Sequence, residues 1–491
     1  MKLVDLLVLA MVAAHSPLGI MAANHWQVVH PERVIAMTVV VAALASVVAY
    51  IWVELGGDRR VVVFTVFVGT FVLMRGGPLF WRFGSLTGWL TICAGVGIAA
   101  YLGHRLVDSP VLRVVTVVLV VVVGSGPIIN GLSSLDMGAS QIVGSDGAEV
   151  DLAHKPDVFL VVLDGYPGQL ALQIEFGMSN PNVTAKLRDA GFQVPASAWT
   201  PYWSTERAIP AILDMSYPSP AAALTSATVR DLHAIVAGDS GMMEVFRDNG
   251  YETTMLESGW VGSSCGATYD HCVPSTWFDE LGFGVGFETA LTQQLTGRGG
   301  PFSLGSLRTM ERLKELAVAP RGERPRFVFG HVLSPHGPYL LNENCEIDTS
   351  KDRLMASTFG SALRDATVRN FLSQMACVDS FIVEFAELVD DEDVVVFVGD
   401  HGTEMRRRLL DGAKSDPAAV IGRMNVFVAA HVDPSCEIGD ALVTANLMRR
   451  VFSCYSETPV PDVMDRMFLP DGYELSETQV QRLLEDGEFV S

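Results

Sequence analysis

Two short apolar runs in this chain end abruptly at acidic residues. Val158–Leu163 is closed by Asp164, and Val394–Val398 leads through a glycine into Asp400 and His401. Continuous apolar runs of this length are typical of strands that are buried on both faces of a parallel sheet. Similar runs at 252–256, 326–333 and 425–430 alternate with helical patterns such as 366–388. The pattern predicts an α/β domain with a doubly wound, mostly parallel sheet.

The first 132 residues differ, because they are almost continuously apolar. Each candidate span approaches the ~20 residues that cross a bilayer core. We count five: Leu3–Ala22, Val34–Leu55, Val61–Phe80, Leu86–Leu106 and Val111–Leu132. The third is interrupted by Arg75-Gly-Gly-Pro78, so four or six spans stay open, and the first could instead be a signal peptide. The loop distribution of Lys and Arg favours a cytoplasmic N-terminus, and five spans then bring residue 133 to the outer face.

The composition divides the chain at the same place. The chain has 491 residues, of which 49% are hydrophobic, and a formal net charge of −22, with most acidic residues after residue 132. We therefore expect a transmembrane helical domain at 1–132, a Gly- and Ser-rich linker at 133–154 and a globular domain at 155–491. The acidic balance and the lack of a long basic cluster argue against a nucleic-acid partner.

Six of the seven cysteines lie in the globular part. Their order suggests neighbouring pairs, although the sequence alone permits fifteen connectivities. Disulfides would place this domain outside the cytosol, and the alternative of a metal cluster has no CxxC spacing to support it. The suggested pairs are Cys265 with Cys272, Cys345 with Cys377, and Cys436 with Cys454.

The acidic strand ends are candidates for a metal site. If both strands are central and parallel, then Asp164, Asp400 and His401 converge at one edge of the sheet, where α/β folds bind their ligands. Two carboxylates and an imidazole suit a divalent cation such as Mn, Zn or Mg. Taken alone, an aspartate at a strand end is more often a turn former or a helix cap than a metal ligand.

Two other stretches carry polar side chains that could take part in catalysis or in ligand binding. The segment 199–213 passes from a loop into an amphipathic helix, and Ser204 or Thr205 at its start offers a nucleophile at the positive end of the helix dipole. The alternative is an ordinary N-cap. His331 and His336 lie at the end of another predicted strand and could contact a phosphate or a second metal. His331 falls within the strand, where core histidines are common, so His336 is the better candidate.

Four motifs resemble the sulfatase-like branch of the alkaline phosphatase superfamily over roughly residues 155–432. In chain order they are the strand end at Asp164, the hydroxyl residue that opens a helix, the stretch from His331 to His336, and the strand end at Asp400 and His401. With five spans before it, the chain resembles lipoteichoic acid synthases and phosphoethanolamine transferases. The resemblance implies one divalent metal ion held by Asp164, Thr205, Asp400 and His401. It also implies that Thr205 becomes a phospho-threonine intermediate and that His336 lies by the leaving or attacking oxygen. Arg207 and His331 would then be candidates for substrate binding.

The sequence also departs from parts of that family. Sulfatases carry a Cys or Ser in a C/S-x-P-x-R run, which Thr205 and its neighbours do not match, so phosphate is the expected substrate. The D-x-x-x-H spacing of two-zinc phosphodiesterases is not found in convincing context, which favours a single metal, and the synthases have Glu in place of Asp164.

We therefore expect a multi-pass cell-membrane enzyme whose catalytic domain is extracytoplasmic. It would move a phosphoglycerol or phosphoethanolamine head group from a membrane lipid to an envelope glycan or lipid. The alternatives are a phosphodiesterase or phosphatase of the same superfamily, and a catalytically silent membrane scaffold.

Overall fold

The computed structural model describes residues 150–218, 226–259, 264–275, 301–348, 364–403 and 416–488, with the isolated positions 39, 43, 47, 262 and 350. Apart from three of those isolated positions, the five candidate spans lie outside the described residues. Within the described residues, no helix combines the length and the apolar character needed to cross a bilayer. The chain divides into two compact units, Met1–Ala139 with Glu280–Pro301, and Ser140–Asp279 with Phe302–Ser491.

The second unit is built on a six-stranded sheet. Its strands are β1 (Val158–Leu163), β3 (Glu252–Leu256), β4 (His271–Val273), β5 (Arg326–Val332), β6 (Val394–Gly399) and β7 (Val428–His431). Across the sheet they lie in the order β4-β3-β5-β1-β6-β7. All neighbours pair in parallel except β7, which runs antiparallel to β6. The two runs that end in acidic residues are therefore adjacent central strands, as predicted.

Helices cover both faces of this sheet. Val158, Leu160 and Val162 of β1 enter one apolar core, and the residues that alternate with them enter a second core on the other face. The first core includes α3 (Thr205–Asp214), α4 (Ser226–Val236), α5 (Gly241–Asp248) and α9 (Leu447–Tyr455). The second includes α1 (Gln169–Phe176), α2 (Pro181–Asp189), α6 (Pro301–Ala317) and α7 (Arg364–Ala386). The predicted mostly parallel α/β fold is confirmed.

The C-terminal part adds a smaller layer. β2 (Ser197–Trp199) pairs in parallel with β8 (Ala441–Val443), and α8 (Pro417–Met424) precedes β7. The acidic C-terminal segment forms α10 (Glu477–Asp486), which begins with a Ser476 capping box and buries Val480 and Leu483. One face of the tail helix therefore packs on the domain, because its apolar residues recur at helical spacing.

Three disulfides join the neighbouring cysteine pairs. Their Cα–Cα distances are 5.8 Å for Cys265–Cys272, 4.9 Å for Cys345–Cys377 and 5.5 Å for Cys436–Cys454. These separations fall within the range that a disulfide spans.

Candidate metal centre and nucleophile

Asp164 and Asp400 lie side by side at the carboxyl edge of the sheet. Asp164 follows the last residue of β1, and the next residue, Gly165, has φ of 73°, a left-handed conformation that favours glycine. The backbone N–H of Gly165 donates to Asp400 Oδ1 at 2.9 Å, and the N–H of His401 donates to the same oxygen at 2.8 Å. Two backbone donors therefore fix the Asp400 carboxylate against the turn that carries Asp164.

The remaining carboxylate oxygens face a shared space. Among the described residues, neither Asp164 Oδ1 nor Asp400 Oδ2 has a hydrogen-bond partner, although both are buried. His401 Nε2 lies 3.7 Å from the first and 3.5 Å from the second. One ligand atom from each of the three residues lies within 4.8 Å of the others. Buried polar atoms without partners are costly, and a divalent cation at this position would satisfy them.

The imidazole of His401 is oriented for ligation. Its Nδ1 donates to the carbonyl of Gly402 at 2.9 Å, so Nε2 carries the lone pair in the neutral ring. Burial, and next the positive charge of Arg423, hold the pKa of His401 well below its ordinary value. The fixed tautomer and the neutral ring are what a metal-ligating histidine needs.

The two carboxyls carry opposite electrostatic shifts. Burial opposes charge on Asp164, but His336 and then the other nearby histidines outweigh it and hold the Asp164 pKa well below its ordinary value. Burial and the adjacent Asp164 charge raise the pKa of Asp400. Two carboxylates this close repel each other, and a bound dication would remove that repulsion. The donor set thus fits a hard or borderline divalent metal.

The structure distinguishes the two hydroxyls at the start of α3. Thr205 is the first residue of the helix, and its Oγ1 lies 3.0 Å from His401 Nε2. Ser204 is the N-cap residue, but its side chain makes no capping hydrogen bond. Its hydroxyl instead bonds to the carboxylate of Glu206, whose pKa is raised chiefly by burial. Thr205, and not Ser204, therefore presents its hydroxyl to the group formed by Asp164, Asp400 and His401.

His331, within β5, and His336, which follows that strand, both lie near Asp164. His331 is fully buried, with Nε2 3.6 Å from Asp164 Oδ2 and Nδ1 3.4 Å from the hydroxyl of Ser258. His336 is exposed, its backbone N–H donates to the Asp164 carbonyl at 2.9 Å, and its ring centroid lies 6.3 Å from that of His401. His336 therefore stands at the accessible rim, whereas His331 lies beneath Asp164.

Arg207 lies in the first turn of α3 and is buried. Burial lowers the pKa of Arg207, and electrostatic interactions with Tyr202 and Glu206 oppose this effect. A buried guanidinium two residues from Thr205 fits an anion-binding role.

Sequence reasoning missed a residue that holds several loops of this site together. Asn425 is buried, and its Oδ1 accepts from the N–H of Ala171 at 3.1 Å while its Nδ2 donates to the Ala198 carbonyl at 3.0 Å. Its own carbonyl accepts from Gly168 N–H at 3.0 Å. Asn425 thus joins the segment after β1 to the segment before α3. The apolar pattern places Asn425 at the start of a strand, and no local signal marks it as different.

A family model described as Sulfatase matches residues 156–428. The integral membrane lipooligosaccharide phosphoethanolamine transferase A of Neisseria meningitidis shares 14% identity with a TM-score of 0.37, over 71% of this chain and 63% of that chain. For the periplasmic domain of EptC from Escherichia coli in complex with Zn, the values are 9% identity, a TM-score of 0.45, and 69% and 98% coverage.

The phosphonate monoester hydrolase of Agrobacterium radiobacter gives 12% identity and a TM-score of 0.36, over 60% of this chain and 72% of that one. At these identities and TM-scores, the structural likeness does not define an activity. This chain spans less than two thirds of the length of the Neisseria enzyme. No curated protein sequence matches it.

Proposed function

The chain belongs to the sulfatase family, and on this premise we propose that it is a metal-dependent phosphotransferase. It would take a phosphoryl head group, of the phosphoglycerol or phosphoethanolamine type, from a membrane lipid and pass it to an envelope glycan or lipid. The observation that carries this proposal is the Thr205 hydroxyl, 3.0 Å from His401 Nε2 and beside two buried carboxylates with unsatisfied oxygens.

In this proposal Asp164, Asp400, His401 and Thr205 hold one divalent metal ion. When bound, the cation would lower the pKa of the Thr205 hydroxyl and take up negative charge from the phosphoryl oxygens. These oxygen and nitrogen donors suit Mn, Zn or Mg. The start of α3 adds the positive end of a helix dipole beside the attacked phosphate.

The transfer would take place in two displacements. Thr205 Oγ1 forms a bond to phosphorus while the bond from phosphorus to the diacylglycerol oxygen breaks. The hydroxyl proton leaves Thr205, and the diacylglycerol oxygen takes up a proton. The oxygen of an acceptor alcohol then forms a bond to phosphorus and gives up its proton, while the bond from phosphorus to Thr205 Oγ1 breaks and that oxygen takes up a proton. His336 at the rim is suited to move these protons, because its ring is accessible and lies next to His401.

The other predicted residues have supporting parts in this scheme. The burial of His331 and its distance to Asp164 favour a role in holding that carboxylate, and Arg207 is the candidate cation for the phosphate. The apolar N-terminal segments would keep the site within reach of lipid head groups, which a hydrolase of soluble substrates does not need.

A transfer assay tests the proposal. The full-length chain is incubated with phosphatidylethanolamine or phosphatidylglycerol that carries a labelled head group, with Mn²⁺ or Zn²⁺ and an acceptor alcohol. We expect metal-dependent release of diacylglycerol and labelled acceptor in equal amounts. Label that reaches only water would favour the phosphodiesterase alternative. If neither lipid yields diacylglycerol, the proposed reaction is wrong.

A pair of adjacent variants identifies the nucleophile. Thr205→Ala should reduce transfer on the order of 10³-fold or more, whereas Ser204→Ala should retain most of it. Mass spectrometry of the peptide that contains both residues should show a phosphoryl head-group adduct on Thr205 after exposure to donor lipid. An adduct on Ser204, or loss of activity only in Ser204→Ala, would contradict this assignment.

A further inference from the structure

We propose that Arg423 is a positioning residue, which fixes Thr205 and His401 relative to each other. The inference rests on the proposed function for its consequence, but its geometric content is independent of it. Arg423 lies in the last turn of α8, is half-buried, and faces two loops of the site. Its Nε donates to the carbonyl of Trp203 at 2.7 Å, and its NH1 donates to the carbonyl of Gly402 at 3.1 Å.

Both carbonyls are close to a reacting group. Trp203 is two residues before Thr205, in the loop that leads into α3. The carbonyl of Gly402 also accepts the Nδ1–H of His401 at 2.9 Å. One guanidinium therefore holds the backbone that carries the hydroxyl and the acceptor that orients the imidazole.

The loop that contains Gly402 is held tightly against Arg423. The N–H of Gly402 donates to the Arg423 carbonyl at 2.7 Å, and the N–H of Thr403 donates to the Gly422 carbonyl at 2.9 Å. A Cβ on Gly402 would lie 2.1 Å from the Gly422 carbonyl oxygen, so only glycine allows this approach. Because the backbone already fixes the position of Arg423, its side chain can transmit that position to the loop before α3.

The chemistry of the side chain makes arginine specific for this task. A guanidinium offers donors in a rigid planar fork, and two of them reach carbonyls of separate loops here. An ammonium group is a compact point charge on a flexible stem and does not reproduce the fork. Arg423→Lys therefore keeps the charge but should lose the defined spacing between the two loops.

A matched control lies at the other end of α3. Arg449 uses the same two atoms to join two carbonyls: Nε donates to Met215 at 2.8 Å and NH1 to Pro461 at 2.9 Å. Met215 is the C-cap residue of α3, whereas Thr205 begins that helix. Arg449→Lys thus removes an equivalent pair of hydrogen bonds at the C-terminal end of α3. It leaves the loops at the start of α3 unchanged.

The experiment compares both variants with the wild type as full-length, metal-stripped protein. Calorimetric titration with Zn²⁺ should show that Arg423→Lys weakens binding by about 10–100-fold, the range for residues that orient metal ligands. Arg449→Lys should change affinity by less than about threefold, because its contacts are remote from the ligands. In a crystal structure of Arg423→Lys, the Thr205 Oγ1 to His401 Nε2 separation should exceed about 3.5 Å, against 3.0 Å here.

The inference is overturned if Arg423→Lys keeps both the separation and the Zn²⁺ affinity, or if Arg449→Lys weakens Zn²⁺ binding equally. A wild-type chain that neither binds Zn²⁺ nor transfers a head group would refute the proposed function. The crystallographic separation alone would then decide the inference: a lengthened one supports it, and an unchanged one overturns it.

Discussion

A partly buried carboxyl, that of Asp379, supports the turn that carries Asp164, and its ionisation leads to a stability prediction. The hydroxyl of Tyr166, two residues after Asp164, donates to Asp379 Oδ1 on α7. The side-chain amide of Asn180 donates to Asp379 Oδ2 at 2.9 Å. Burial raises the pKa of Asp379 from 3.8 to about 6, although both hydrogen bonds favour the charged form.

The size and the sign of the effect follow from linkage. The rise in the Asp379 pKa from 3.8 to about 6 means that ionising this carboxyl costs about 3 kcal/mol more in the folded than in the unfolded chain. Because the pKa is raised on folding, the contribution is fully present below about pH 4, where both states are protonated. It is lost as the pH rises through about 6, because the unfolded carboxyl ionises freely while the folded one ionises at a cost. The free energy of unfolding should therefore fall across this window.

Asp379→Asn removes the titrating group and provides the measurement. The free energy of unfolding is measured for the wild type and the variant by urea denaturation from pH 4 to 7.5. The wild-type value minus the variant value should decrease by up to about 3 kcal/mol over this range. Asp189→Asn, at an exposed position at the end of α2, controls for the loss of one negative charge. A wild-type minus Asp379→Asn difference that does not change with pH would refute the reasoning.

Two further predictions concern the carboxyl edge of the sheet. Asp164→Asn replaces one of the two buried carboxylates that each have an oxygen without a hydrogen-bond partner, so Zn²⁺ affinity in a calorimetric titration should fall by at least about tenfold; unchanged affinity would exclude Asp164 as a ligand. Gly399→Ala would place a Cβ 2.3 Å from the Tyr166 carbonyl oxygen, and should lower the free energy of unfolding by about 1–3 kcal/mol or more. Gly322→Ala, whose nearest atom would be 3.9 Å away, is the control and should be nearly neutral in the same urea denaturation; equal losses would contradict the steric argument.

The sequence predicted the central strands well because their apolar runs have one physical cause. Val158–Leu163 and Glu252–Leu256 have the bounds that the apolar pattern indicates, and β6 extends only one residue further. Both faces of β1 and β6 are covered by helices, so every position before the final Gly399 of β6 carries an apolar side chain. Their burial is therefore visible in the local composition.

The same reasoning failed for the segment around β7. We expected a strand at 425–430, whereas β7 is Val428–His431. Asn425 uses its side chain and its carbonyl to join loops that are far away in sequence, which takes it out of the regular ladder. An apolar neighbourhood gives no sign of such non-local hydrogen bonds, since their partners are defined only by the complete fold.

The candidate site was likewise predictable only in part. The rule that ligands collect at the carboxyl ends of parallel strands predicts that Asp164 and Asp400 meet, although the hydrogen bond between Gly165 and Asp400 spans 235 residues. It does not choose between Ser204 and Thr205, because both are ordinary residues for a helix start. That choice depends on the direction of each hydroxyl, which is set by the approach of α3 to the loop after β6.

Arg423 shows why the supporting residues of a site escape sequence reasoning. The candidate metal ligands can be recognised in the sequence because acidic residues and a histidine are unusual directly after a buried strand. Arg423 instead occupies the last turn of a helix, where a basic residue is common for reasons of helix stability alone. Its distinguishing property is that two carbonyls from different loops lie within reach of one guanidinium. Neither carbonyl is encoded by a particular side chain. Substitutions that preserve every candidate ligand can therefore still displace Thr205 from His401, and the effect of Arg423→Lys measures how far the site depends on such contacts.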